Sequence, residues 1–316
     1  MKRASLSQTI RHTEILGIAI ILIVLFAFFS ILSDKFFTVS NLFRILLNIS
    51  TIGIMALGEA LVIIICGIDL SVSSTFAMAG VITALSIASW GTGVPIGIVL
   101  GITSGILIGI VNGLLIVRAR LTPFIATFGM LSVIRGLAYA VSGGYTIPVY
   151  VKAFTNIGMA YAGPIPVPVI IFFFLALLCA FLLARTAFGV SLFATGGNVT
   201  AAFFSGIRTN RVRFVTYVVA GGLAAVAGII STAKMGMGTS TAGLGYELDV
   251  ITAVILGGVS LKGGKGNVFG VMIGAAIMGV IRNGLLILNI SAYYQITIIG
   301  AVIIGVAAFD AIRSRK

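Results

Sequence analysis

Charge is what this sequence lacks most. Asp, Glu, Lys and Arg make up 9% of its 316 residues, where a water-soluble domain carries roughly 25%. So few charges cannot cover a water-facing surface, and the mean hydropathy of +1.23 makes lipid the solvent. Histidine is nearly missing too: His12 is the only one, in the tail ahead of the first apolar run. That excludes HExxH, a Ser-His-Asp triad and any His-based metal cluster, and no GxSxG occurs. No metal, cofactor or chemistry of its own is expected. The two cysteines, Cys66 and Cys179, lie in apolar runs and read as small hydrophobes rather than a disulfide. A phosphate-cradling GxxxxGK[ST] is absent as well. In Gly258-Val259-Ser260-Leu261-Lys262-Gly263-Gly264-Lys265-Gly266 the earlier glycine is replaced by Val259 and the final hydroxyl by Gly266. That stretch reads as a turn between helices with lysines at headgroup level.

What the chain has in quantity is long apolar runs. About 20 apolar residues cross a bilayer as a helix. Spans are expected near 15–33, 48–68, 72–90, 94–117, 123–142, 165–184, 214–232, 248–261, 266–288 and 293–311, ten in all, with the eighth short. The first run is long enough to span and no small-residue cleavage site follows it, so it is not read as a cleaved signal. The 40 glycines suit membrane helices, whose backbones approach closely through small residues.

The net charge of +13 would suggest nucleic acid in a soluble protein. Here the basic residues flank apolar spans, so the bias of Lys and Arg toward the cytoplasm accounts for it and no nucleic acid is expected. With the N-terminus inside, the cytoplasmic side receives Lys2, Arg3, Arg11, Arg118, Arg120, Arg185, Arg208, Arg211, Arg213, Lys262, Lys265, Arg313, Arg315 and Lys316. The outer side keeps Lys35, Arg44, Lys152 and Lys234. Both termini are therefore expected in the cytoplasm. Counting the short eighth span keeps Lys262 and Lys265 inside. Two loops are long: 143–164 outside, and 185–213 inside with four arginines. Asn112-Gly113-Leu114-Leu115-Ile116 and Asn283-Gly284-Leu285-Leu286-Ile287 echo one another. So do Gly67-Ile68-Asp69-Leu70-Ser71 and Gly258-Val259-Ser260-Leu261-Lys262, but the offsets disagree, so no repeat is assigned.

Ionisable residues within spans are costly and so mark candidate sites: Glu59, Asp69, Arg135 and Arg282, with Glu247 and Asp249 at the mouth of the eighth span. Asp69 also suits a cap for the third helix, and Arg282 is expected to pair with Asp249 or Glu247. In the inner loop, Asn198 is a good N-cap and Gly206 a good stop, leaving about two turns of helix between them. That helix is too short to stand alone. Its small face (Ala201, Ala202, Ser205) and paired phenylalanines suit a groove on another protein, or else the headgroup layer.

A set of motifs, in order, resembles the membrane-permease family of ABC importers for ribose, xylose, arabinose, galactose and autoinducer-2. They are Gly67-Ile68-Asp69-Leu70-Ser71-Val72, Asn112-Gly113, Pro123-Phe124-Ile125-Ala126-Thr127-Phe128-Gly129-Met130 and Arg135-Gly136. Then come Arg185-Thr186, Phe188-Gly189, Gly196-Gly197-Asn198, Ala201-Ala202, Ser205-Gly206-Ile207, Tyr246-Glu247-Leu248, Gly257-Gly258, Ser260-Leu261, Gly263-Gly264 and Asn283-Gly284. The resemblance implies an all-α, polytopic fold of about ten transmembrane helices, one short or discontinuous. It forms one permease domain over residues 1–316, of the type-II-like importer architecture, in the bacterial inner membrane.

Further implications concern partners. A second permease subunit, identical or paralogous, completes the channel. Cytoplasmic ATP-binding subunits dock on the coupling loop 185–213, through Gly197, Asn198, Ala201, Ala202, Ser205, Gly206 and Ile207. A periplasmic or surface sugar-binding protein delivers the cargo, a ribose-like monosaccharide. Candidate pathway residues are Asn48, Asp69, Ser71, Ser73, Thr127 and Asn283, with Phe124 and Phe128 as gates. The alternative for each Ser, Thr and Asn is an interhelical hydrogen bond. Val190, Ser73, Val259 and the bulky Phe203-Phe204 depart from the family pattern. Two other readings stand beside this one. An ion-coupled secondary transporter would use Glu59 and Asp69; an ABC permease could instead carry nucleosides or branched-chain amino acids.

Overall fold

Hydrocarbon offers no hydrogen bonds, so a chain that crosses it must satisfy its backbone internally, as helices do. The computed structural model describes residues 2–313 and is built almost wholly of helices. In order they are α1 (Lys2–Leu32), α2 (Val39–Ile64), α3 (Val72–Ala88), α4 (Val94–Val117), α5 (Pro123–Ser142), α6 (Lys152–Met159) and α7 (Val167–Arg185). There follow α8 (Ala187–Gly197), α9 (Val199–Phe204), α10 (Thr209–Met235), α11 (Tyr246–Leu256), α12 (Val268–Ile287) and α13 (Ala292–Arg313). Among the described residues seven helices are long and apolar enough to cross a membrane: α1, α2, α4, α5, α7, α10 and α12. The other three expected spans fall on α3 and α11, of 17 and 11 residues, and on α13, of 22. Arg315 and Lys316, assigned above to the cytoplasmic side, lie outside the described residues.

Local chemistry sets the boundaries. Thr38, Thr186, Asn198 and Asn267 each accept an amide hydrogen bond in the first turn of α2, α8, α9 and α12, filling part of the helix's unmet donor set. Prolines open α4, α5 and α7, where the missing N–H costs nothing. The expected cap at Asp69 is corrected: α3 is entered through Ser71, and no side chain caps it.

The centre is formed by α2 and α10. From Ser50 to Ile65 every residue of α2 and its cap is buried, and α10 packs against α2, α3 and α4. The α4 contact is backbone to backbone. Gly97, Gly101, Gly105, Gly109 and Gly113 recur every fourth residue. Four residues turn a helix about 40° beyond a full circle, so the stripe drifts round α4. Gly97 and Gly101 face Ile87 and Thr83 of α3, whereas Gly105, Gly109 and Gly113 face Gly221, Tyr217 and Phe214 of α10. A Cβ at Gly105 or Gly221 would run into the other's carbonyl. Large apolar side chains on α1, α4, α5 and α7 point outward.

Two loops hold more structure than expected. Residues 143–164 contain α6. Ile147–Pro148 pairs antiparallel with Met237–Gly238, and Tyr161–Ala162 with Ile165–Pro166. Phe154 of α6, Ile147 and Val149 close over the ends of α3 and α10. The inner loop carries α8 as well as the expected short helix. The eighth span is shorter than 248–261: α11 ends at Leu256 and 257–267 is turn. It also starts inside the bundle, where Tyr246 and Gly243 lie against Phe76, in the second turn of α3.

Candidate translocation and coupling site

The segment from Ile65 to Ser71, between α2 and α3, is the most polar place in the interior. Cys66 holds a left-handed backbone with φ of 60°, rare for a residue with a Cβ. Three turns of chemistry meet here. Glu59 Oε1 accepts the Asp69 amide at 3.0 Å. Asp69 Oδ1 accepts the Ser71 amide at 2.9 Å and its hydroxyl at 2.6 Å. Asn112 of α4 donates to the Ser71 hydroxyl at 2.8 Å, and Tyr217 of α10 places its hydroxyl against Gly67. The Thr127 hydroxyl of α5 is shared between the carbonyls of Ile68 (3.0 Å) and Pro123 (2.9 Å). Of the candidate pathway residues, Asp69, Ser71 and Thr127 are thus brought together, and all are buried.

The others are dispersed. Ser73 receives the Arg135 guanidinium at 3.4 Å, which also donates to the carbonyls of Ser240 (2.6 Å) and Ala242 (2.9 Å). Arg135 therefore ties α5 to the turn that leads into α11. Asn283 and Asn41 exchange amide hydrogen bonds at 2.9 Å each way, an interhelical pair facing no open space. Asn48 accepts from Lys234 at 2.9 Å. Phe124 and Phe128 stack, 6.0 Å apart and 3° from parallel, on an exposed face of α5. Arg282 forms the expected ion pair with Asp249, and its guanidinium lies 4.9 Å over the Tyr246 ring.

The coupling segment is organised as α8, then α9. Asn198 caps α9 by accepting the Ala201 amide at 2.9 Å, and Gly206, at φ of 85°, ends it. The small face is corrected in part: Ala202 is turned inward and buried, while Phe203 and Phe204 project, 63% and 82% exposed. The two phenylalanines are the most prominent part of the outward surface, beside the exposed Val199, Thr200, Ala201 and Ser205.

At the base of α8 three chain segments are locked together. The Gly264 amide donates to the Ile64 carbonyl at 2.8 Å. The Cys66 thiol reaches the carbonyls of Lys262 (2.9 Å) and Gly196 (3.3 Å). Gly196 lies flush on the Ile64 carbonyl and the Gly264 amide, leaving no room for a side chain. Cys66 is therefore a clamp, not an apolar filler. Partial burial raises its thiol from the ordinary range, opposed by the charge of Arg213, which keeps the hydrogen it donates. Cys179 is buried in the apolar core, as expected. The clamp, the Asn112–Ser71 bond and the carbonyl seat of Arg135 escape sequence reasoning. A glycine run at 263–264 opposite Gly196 was the only trace of the first.

The chain resembles known transport proteins along almost its whole length. The family model described as the permease component of branched-chain amino acid transport systems matches residues 41–307. Ribose import permease protein RbsC of Escherichia coli (strain K12) is 40% identical over 297 residues, 92% of each chain. RbsC of Bacillus subtilis (strain 168) is 40% identical over 297 residues, 93% of this chain and 91% of that one. D-allose transport system permease protein AlsC of Escherichia coli (strain K12) is 36% identical over 300 residues, 95% of this chain and 92% of that one. No solved structure matches the chain. With the multispan helical bundle, these likenesses establish that the chain belongs to this family of membrane-embedded permease components.

Proposed function

We propose that the chain is the permease subunit of an ATP-driven importer for a small sugar, working as a dimer with both termini in the cytoplasm. The observation that carries this reading is α9, a short capped helix presenting Phe203 and Phe204 outward at the end of the bundle where Lys and Arg accumulate. Two exposed phenylalanines suit a groove on a separate ATPase. The relatives named for ribose, allose and L-arabinose favour sugar over amino-acid or nucleoside cargo. The secondary-transporter reading would leave α9 without a role.

In this mechanism the ATPase supplies the motion and the permease conducts it. Movement of α9 passes through α8 to Gly196, and from there across the clamp to Ile64 and Cys66. It then reaches the 65–71 segment, whose Ile68 carbonyl is bonded to Thr127. Thr127 lies between Phe124 and Phe128 on α5, so the stacked rings are in line to act as the gate. A binding protein holds the sugar tightly, and the channel wall needs only weak contacts, since a tight site would trap its cargo.

The test is co-purification of the chain with its ATPase subunit from native membranes in mild detergent. Phe203→Ser/Phe204→Ser should insert normally, lose the ATPase and abolish uptake. This pair tests docking better than Ala202→Glu, because Ala202 is buried. Uptake driven by an ion gradient, with no ATPase bound, would overturn the importer reading.

A further inference from the structure

The clamp at Gly196 holds two other segments, the α2–α3 junction and the turn between α11 and α12. The first leads to α5 through the Ile68 carbonyl and Thr127. The second leads to α5 as well, by a longer path. The Gly264 amide bonds the Ile64 carbonyl, and a Cβ on Gly264 would strike the backbone of Gly197, beside the cap of α9. The turn behind it is stiff. Ser260 donates its amide to the Lys265 carbonyl, Gly263 to that of Ser260, and Val259 to that of Val254 in α11; Val259 is itself buried in the core. Gly257 meets Gly270 backbone to backbone, the Ala253 carbonyl lies against Gly274, and Asp249 is paired with Arg282. α11 is therefore tied to α12 along its length. Displacing the turn moves α11 as a rod of about 16 Å.

The far end of the rod is held by Arg135. Ahead of α11 the chain is closed by amide bonds from Ala242 to Thr239 and from Tyr246 to Gly243. The Arg135 guanidinium donates to the carbonyls of Ser240 and Ala242 in that turn. Its donors sit in a rigid planar fork, so two carbonyls held at once fix direction as well as distance. Thr127 and Arg135 are eight residues apart, about 12 Å along α5. One grip lets a helix swivel about it; two grips set its tilt. Both grips on α5 trace back to Gly196.

We propose that Arg135 is a positioning residue for transport. It carries the displacement of α9, by way of the α11–α12 turn and α11, to the C-terminal half of α5, while Thr127 carries it to the N-terminal half. The two arms together tilt α5 when the ATPase closes on ATP. This rests on the importer reading, since α9 is the driven element, but it does not depend on the cargo.

Hydrogen exchange of the permease–ATPase complex in lipid nanodiscs, with and without ATP and vanadate, tests it. Peptides of α8 and α9 report on the importer reading, and peptides of α5 on the two arms. In the wild type, trapping should change exchange in 239–245 and in both halves of α5. Arg135→Gln should lose the change in the C-terminal half and keep it near Thr127; Thr127→Val should do the reverse. Arg135→Lys, which keeps a charged donor, should recover part of the response. If Arg135→Gln exchanges faster in that half in both states, with the nucleotide response intact, Arg135 is a structural tie alone and the proposal is overturned. It is overturned too by a wild-type complex whose α8 and α9 respond while 239–245 and the C-terminal half of α5 do not, a result that needs no variant to fold. A chain that brings no ATPase with it removes the importer reading, and this inference along with it.

Discussion

The interior holds two clusters of ionisable residues, and they solve the same problem by opposite means. Around the start of α11, positive charge is met by protein: Arg282 by Asp249 and the Tyr246 ring, Arg135 by the carbonyls of Ser240 and Ala242. At the α2–α3 junction, the carboxylates are met by backbone amides and a hydroxyl. An ion pair fixes two elements at one separation. A carboxylate held by amides of a turn fixes the turn's own shape and leaves its neighbours freer. The first cluster anchors the interrupted helix, and the second shapes the segment through which motion would pass.

The comparison is broken most severely at the ion pair. Arg282→Ala strands a fully buried Asp249 carboxylate, a loss of about 3–5 kcal/mol of stability for a pair broken on one side. Arg282→Gln with Asp249→Asn should recover part of that loss in detergent melts. A double variant as unstable as the sum of its parts would show that the two do not act as a unit. Arg135→Gln is the next largest. It leaves two carbonyls under-satisfied, at about 1–3 kcal/mol, and should free the turn before α11, seen as faster proteolysis near Ser240. Thr127→Val is the smallest, about 1 kcal/mol or less for one shared hydroxyl bond. Its effect should fall on uptake more than on the melt; equal uptake would remove the link between α5 and the junction.

Much of the bundle was legible in the sequence because lipid leaves a chain few options. The ten apolar stretches became helices, seven of them among the described residues long and apolar enough to cross, and Asn198 and Gly206 bounded α9 as their chemistry dictates. The Arg282–Asp249 pair was readable because a charge in lipid must find its opposite. Less was legible where backbone atoms do the work. Arg135 is seated on carbonyls, which every residue possesses, so no pattern of side chains announces it. Cys66 reads as apolar in a run of isoleucines, and only the left-handed turn after Ile65 carries its thiol out to Gly196 and Lys262. Asp69 looked like a helix cap, but Leu70 and Ser71 intervene, and its carboxylate closes a turn one step earlier. Asn41 and Asn283 lie far apart in the chain, so their mutual bond had no local signal.

The glycine stripe of α4 sets the kinematics of the molecule. Side chains at a helix contact act as bearings: they change rotamer and let one helix slide on another. Where α4 meets α10 at Gly105, Gly109 and Gly221 there is little side chain to yield, and carbonyl oxygens lie in the path of lengthwise slip. The α3–α4–α10 block is therefore a strut that turns as one piece, and the work of opening and closing falls on the elements hinged to it: α5, α7 and the half-length α11.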